Sequence, residues 1–167
     1  LVTPRLGNNG AGAIGDGRGW APMGHHAVMA ARHEAPGGEF RYRHAIEVRF
    51  RDTDAMGHVN NAVYLTYFEL ARAGYYRAVT GRVFETLAES DRSMIMAHAR
   101  VEYRAPAYFG ETVVVACRTA WVSRSSFSLV YRLTADDDSP RGAGRLLADG
   151  ETIQVAYDYA AGRPMRL

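Results

Sequence analysis

A single cysteine, Cys117, is all the chain carries, so an internal disulfide is impossible and a metal site built from paired thiolates is excluded. Long apolar runs are also missing. Stretches such as 27–31 fall far short of the ~18 residues of a membrane-spanning helix, and no apolar segment is followed by the small-residue cleavage site of a secretory signal. Neither sign of charge is in excess: 20 basic against 18 acidic residues leave a formal net charge of +2, which does not suggest a nucleic-acid surface. None of the seven serines sits in G-x-S-x-G, so the usual serine-hydrolase elbow is absent. His33-Glu34 lacks the second histidine of H-E-x-x-H, so no zinc-protease helix is indicated. What remains is a chain of 167 residues, 47% hydrophobic and 23% charged, as expected for one soluble globular domain of the cytoplasm. No cofactor, metal, membrane or nucleic-acid partner is expected.

Residues 1–40 hold nine of the 17 glycines and three of the six prolines, with no sustained apolar period. Such a segment cannot bury enough surface to offset its ordering entropy. The expectation is a flexible Gly-rich leader over 1–40, non-native in part and with Met23 or Met29 as the natural start, followed by a domain over 41–167. Residues 10–15 match G-x-G-x-x-G, but neither a strand before nor a helix after supports a dinucleotide site. His25, His26 and His33 lack fixed metal-ligand spacing and read as solvated.

Beyond residue 40 the pattern changes. Residues 44–51 alternate, with Ile46, Val48 and Phe50 on one face, predicting a strand; 52–60 are polar and contain glycine, predicting a loop. From 61 to about 80 Val63, Tyr67, Leu70, Gly74 and Ala78 recur at helical spacing. Tyr64, Phe68, Tyr75 and Val79 widen that stripe, and Thr66, Glu69, Arg72, Arg77 and Thr80 leave a narrow polar strip. A helix this apolar demands cover around most of its circumference. Residues 93–104, 111–124, 126–134 and 146–159 read as strands, with Val113, Val115, Cys117, Thr119 and Trp121 expected on one side. Gly150 is expected within one long or bulged strand. The order β–α–β–β–β–β predicts an α+β domain: a five-stranded antiparallel sheet with one long helix across it. Cys117, mid-strand among apolar neighbours, is expected to be inert.

The informative segment is F-R-D-T-D-A-M-G-H-V-N-N-A-V-Y at 50–64, with two carboxylates, an imidazole and two amides directly before the helix. The first turn of a helix has N–H groups without internal partners and carries partial positive charge. It can hold a developing oxyanion while an upstream carboxylate attacks or activates a water. The plainer alternatives are that Asp52 and Asp54 order a turn and that Asn60 caps the helix. Glu69 falls on the polar strip with Arg72 three residues on, the spacing of a surface ion pair.

D-x-D-x-x-G-H-V-N-N before an aromatic-rich helix, Y-R-A-P at 103–106 and Y-D-Y…G-R-P at 157–164 resemble the 4-hydroxybenzoyl-CoA thioesterase family of hotdog-fold enzymes. The resemblance spans residue 44 to about 166. It implies that the sheet wraps the helix and that the chain is an acyl-CoA thioesterase acting without a cofactor. It also implies a homodimer or homotetramer, with sheets joined edge to edge and sites at the interface. Carried onto this sequence, it implies Asp54 as base or nucleophile, the Asn61 backbone N–H as oxyanion donor and His58 as an orienting group. Gly57 and Asn60 would lie against the substrate, and Arg124 would contact a coenzyme A phosphate; Asp52 would fix the loop. Two departures matter. Met56 stands where acyl-carrier-protein thioesterases of plant type have asparagine, and Arg124 alone remains of the basic cluster that aryl-CoA members carry after a tryptophan. An acyl-carrier-protein thioesterase and a non-catalytic acyl-CoA sensor on the same fold are the alternatives. A hydratase is disfavoured, because Met56-Gly57 replaces its Asn-Pro.

Overall fold

The computed structural model describes residues 33–34, 38–83 and 91–167. Seven strands form one antiparallel sheet: β1 (His33–Glu34), β2 (Tyr42–Glu47), β3 (Arg92–Tyr103), β4 (Thr112–Val122), β5 (Ser126–Ala135), β6 (Leu146–Asp158) and β7 (Arg163–Pro164). The five long strands run β2–β4–β5–β6–β3. The two-residue β1 pairs with the far end of β4, and β7 pairs with the end of β6. β1 thus comes from within the segment read as a leader; the remainder of 1–32, including the G-x-G-x-x-G match, lies outside the described residues.

Among the described residues one α-helix, α1 (Asn61–Thr80), lies against one face of the sheet. Its bounds follow from its ends. The Asn60 side chain accepts the Ala62 N–H, and Gly81 adopts a left-handed φ of 71° that returns its own N–H to the Arg77 carbonyl. Tyr64, Tyr67, Phe68 and Ala71 face inward against Val113, Val115 and Cys117 of β4 and Leu129, Tyr131 and Leu133 of β5. Each large apolar side chain buried this way contributes about 1.5–3 kcal/mol. No helix among the described residues is long and apolar enough to cross a membrane.

Two sequence expectations need correction. The strand expected over 44–51 ends at Glu47, because the Asp52 carboxylate draws the Arg49 N–H into a tight 3-10 turn over Phe50–Asp52. Val48 stays buried, its N–H on the Glu111 carbonyl, whereas Phe50 swings out, 77% exposed, edge-on to Phe109. Trp121 does not share the face of Val113 and Cys117. A register shift after Thr119 sets it opposite Ser128, on the other side of the sheet. Among the described residues the helix has positions 63–65, 67–68 and 71–76 buried or half-buried, with Leu70 and Val79 exposed.

Gly150 sits inside an unbroken β6, as the alternation on its far side predicts. The reason for glycine there is contact: a Cβ would lie 2.2 Å from Phe68 Cε2 and 3.1 Å from the Arg100 carbonyl oxygen. Phe68 cannot easily yield, being stacked on Tyr131 at 4.5 Å between ring centroids. Gly150→Ala is therefore expected to cost about 1–3 kcal/mol in urea or thermal unfolding. A variant as stable as the parent would show that this packing is loose.

Candidate active site

The loop between the 3-10 turn and α1 closes on itself. Thr53 and Val59 form a bridge, the Asp54 N–H donates to the His58 carbonyl (3.0 Å), and the Gly57 N–H donates to the Asp54 carbonyl (3.0 Å). Gly57 takes φ +81°, which a side chain would resist, and no atom lies within 4 Å of where its Cβ would be. Val59 N–H donates to the Ala107 carbonyl and Asn60 N–H to the Asp52 carbonyl, tying the loop to the turn before β4 and to its own start.

Within this frame Asp54 uses one carboxylate oxygen locally, Oδ1 accepting the Met56 N–H at 2.9 Å. Its Oδ2 stands 3.8 Å from His58 Nδ1, and the two side chains are 27% and 32% exposed. His58 Nδ1 is also 3.3 Å from the Val59 carbonyl oxygen, a partner when that nitrogen carries the proton. At the helix start Asn60 Oδ1 is taken by the cap, leaving its amide NH2 free to donate. Among the described residues no protein atom accepts the Asn61 N–H. Tyr103 braces this end, its hydroxyl donating to the Asn61 carbonyl at 2.9 Å and its ring edge-on to Tyr64.

Beneath the loop lies a buried network. Asp52, 3% exposed, accepts from the Arg49 backbone N–H, the Arg49 guanidinium and the Tyr67 hydroxyl, at 3.0–3.1 Å. Burial alone would raise the Asp52 pKa, but these donors outweigh it and hold the carboxyl below the usual range. Tyr67 is driven the other way, by burial first and then by the Asp52 charge, so it stays a neutral donor.

The structure thus gathers Asp54, Gly57, His58, Asn60 and Asn61 at one loop–helix junction. Arg124 is elsewhere. It follows the far end of β4, about 35 Å along the strand from the turn that touches the loop. Glu69 is 69% exposed and paired with Arg72 at 3.1 Å, outside the site. Burial pushes the Cys117 thiol up to about 12, leaving it protonated. No group of three or more His, Cys, Asp or Glu side chains among the described residues is placed to hold a metal ion. Arg49, Tyr67 and Tyr103 escape sequence reading as site residues: Tyr67 is 15 residues from Asp52 and Tyr103 is 42 from Asn61, and no local pattern links them.

The family model of the thioesterase-like superfamily matches residues 48–167. YneP of Bacillus subtilis (strain 168), a candidate acyl-CoA thioesterase, is 30% identical over 72% of this chain and 83% of its own length. A Thermus thermophilus thioesterase, crystallised with coenzyme A and zinc, is 34% identical with a TM-score of 0.62, over 77% of this chain and 92% of that one. A Staphylococcus aureus DHNA-CoA thioesterase shares the fold, with a TM-score of 0.67 at 24% identity over 75% and 79% of the two chains.

Proposed function

Since the chain belongs to the thioesterase-like superfamily, and is a hotdog-fold thioester hydrolase on that footing, we propose that its substrate is an acyl-coenzyme A and that Asp54 is its catalytic carboxylate. The observation that carries this reading is the pairing of two unspent groups. Asp54 has one carboxylate oxygen bonded within the loop and the other free of any bond shorter than 3.8 Å. Seven residues on, the Asn61 N–H points from a helix N-terminus with no protein acceptor among the described residues.

The thioester carbonyl oxygen sits on the Asn61 N–H, where the helix dipole favours the charge it gains as the tetrahedral intermediate forms. Asp54 takes a proton from a water whose oxygen bonds to the carbonyl carbon. The C–S bond then breaks, and coenzyme A leaves as its thiol with that proton. In a second route the Asp54 carboxylate bonds to the carbon directly and the C–S bond breaks, releasing the coenzyme A thiolate. Water then cleaves the resulting anhydride, giving the free acid, the Asp54 carboxylate and the proton that the thiolate takes up. His58 orients the Asp54 carboxylate, the open backbone at Gly57 lets the substrate approach, and the Asn60 amide donates to it.

The site is completed by a second copy. β3 is an edge strand running from Arg92, in the groove shared with Arg124, to Tyr103, which touches Asn61. Its outer edge is paired with no other strand among the described residues, an edge that invites pairing. Antiparallel pairing of two β3 strands about a two-fold axis sets the Arg92 end of one against the Tyr103 end of the other. One protomer's Arg124 then faces the other's Asp54, within reach of the coenzyme A phosphates. A homodimer, or a tetramer of two such pairs, is the functional unit proposed.

Free-thiol release from a panel of acyl-CoAs tests the reading. Release with at least one aliphatic or aromatic thioester is expected. Tight binding with no release from any of them would replace the hydrolase by an acyl-CoA sensor.

A further inference from the structure

A cavity of about 660 Å³ opens between the C-terminal half of α1, the start of β3 and the ends of β4 and β5. It is at the opposite end of the helix from Asp54, and a 20-residue helix is ~30 Å long. Its apolar lining includes Val79, Val83, Met94, Val122, Phe127 and Leu129. Val79, Val83 and Val122 are 65%, 62% and 42% exposed, so the mouth presents bare apolar surface to water. On the floor the Tyr75 hydroxyl lies 3.1 Å from Thr119 Oγ1 and accepts the Thr119 N–H.

Among the described residues, Arg72, Arg82, Arg92 and Arg166 line the cavity, Arg72 being paired with Glu69. A second groove continues from it through Arg92, Met165 and Arg166 and adds Arg124 and Arg163. Asp158, the acid among the described lining of that groove, accepts the Ala161 N–H and stands opposite Arg92 across β3 and β6. An apolar chamber with a cationic rim is complementary to an apolar tail attached to a polyanion.

We infer that this cavity is the acyl subsite and that it selects an extended aliphatic acyl chain over an aryl one. The inference rests on the acyl-CoA reading above, in which paired β3 strands bring this cavity to the other protomer's Asp54. The volume falls in the range of about 300–1,000 Å³ typical of sites for drug-sized ligands, more than a lone aromatic ring fills. Val, Met and Leu side chains lining the chamber reward each added methylene by removing it from water.

The test uses the full chain carrying Asp54→Asn, so that thioesters bind without turnover, and isothermal titration with saturated straight-chain acyl-CoAs from butanoyl to hexadecanoyl. Kd should fall about three- to four-fold per methylene until the chamber is filled, with benzoyl-CoA and hydroxybenzoyl-CoA no tighter than butanoyl-CoA. Adding Val79→Trp, at a surface position where folding tolerates the ring, should cut the hexadecanoyl-to-butanoyl affinity ratio at least ten-fold. A Kd independent of chain length, or a preference for the aryl thioesters, would overturn the assignment. If such a flat series accompanies thiol release by the parent enzyme, the hydrolase reading survives and only the acyl subsite is lost. If the series is steep but the parent releases no thiol from any member, the subsite stands and the hydrolase reading fails.

Discussion

Asp54→Asn is expected to lower kcat by about 10²–10⁴-fold, the usual range for removing a general base, while leaving the fold intact. Asparagine keeps the Oδ1 that accepts the Met56 N–H, so the turn survives, and the side chain is partly exposed, so the change should stay within about 0.5 kcal/mol of parental stability. What it loses is the second carboxylate oxygen beside His58, and with it both a proton acceptor and a nucleophile. KM should change far less than kcat, because the subsites proposed for the acyl chain and the coenzyme A phosphates lie elsewhere. Steady-state thiol release with circular dichroism separates the two effects. Parental turnover in a folded Asp54→Asn enzyme would remove this residue from the chemistry.

A second large effect is expected two residues away and for a different reason. Asp52→Ala should cost about 3 kcal/mol of folding stability. It leaves the Tyr67 hydroxyl buried without its acceptor, a penalty of about 1–3 kcal/mol, and breaks charge-assisted bonds to Arg49. The Arg49 side chain is 44% exposed and can return to water, which keeps the loss below the ~3–5 kcal/mol upper range for stranding a fully buried charge. The pH dependence has a definite sign. Against burial, the donors hold the folded-state Asp52 pKa below that of the unfolded chain. The unfolded state therefore binds the proton more readily. The stabilisation is fully present above the unfolded value of about 4 and disappears as pH falls through the folded pKa. Urea midpoints measured from neutral to acidic pH should show the gap between parent and Asp52→Ala closing as the solution is acidified. A gap that stays constant would mean the carboxylate is not charged in the folded protein.

These two aspartates also mark the limit of what was legible in the chain. The fold class was, because a period of two over β4, β5 and β6 and a helical stripe over 61–80 are imposed by backbone geometry that each element carries locally. The helix start was legible too, since an Asn cap acts within two residues of itself. Phe50 and Trp121 broke the same alternation. A carboxylate three residues on took the Arg49 N–H and turned the chain out of the strand, and the inserted residue Ala120 reversed the face of everything after it on β4. Neither event leaves a trace in hydrophobic spacing.

The loop proposed as the active site stood out in the sequence because Asp54, Gly57, His58 and Asn61 fall within eight consecutive residues leading into the helix. Residues that meet only through the sheet did not. That Tyr67 seals Asp52, that Tyr103 grips the helix tip, and that Arg124 stands a strand's length from the loop all depend on register and on how α1 lies over β4. The chemistry on offer was thus written in one contiguous stretch of sequence. Where the acyl chain of the proposed substrate would go depends on how distant segments pack, because those distances are set by the sheet and not by the chain.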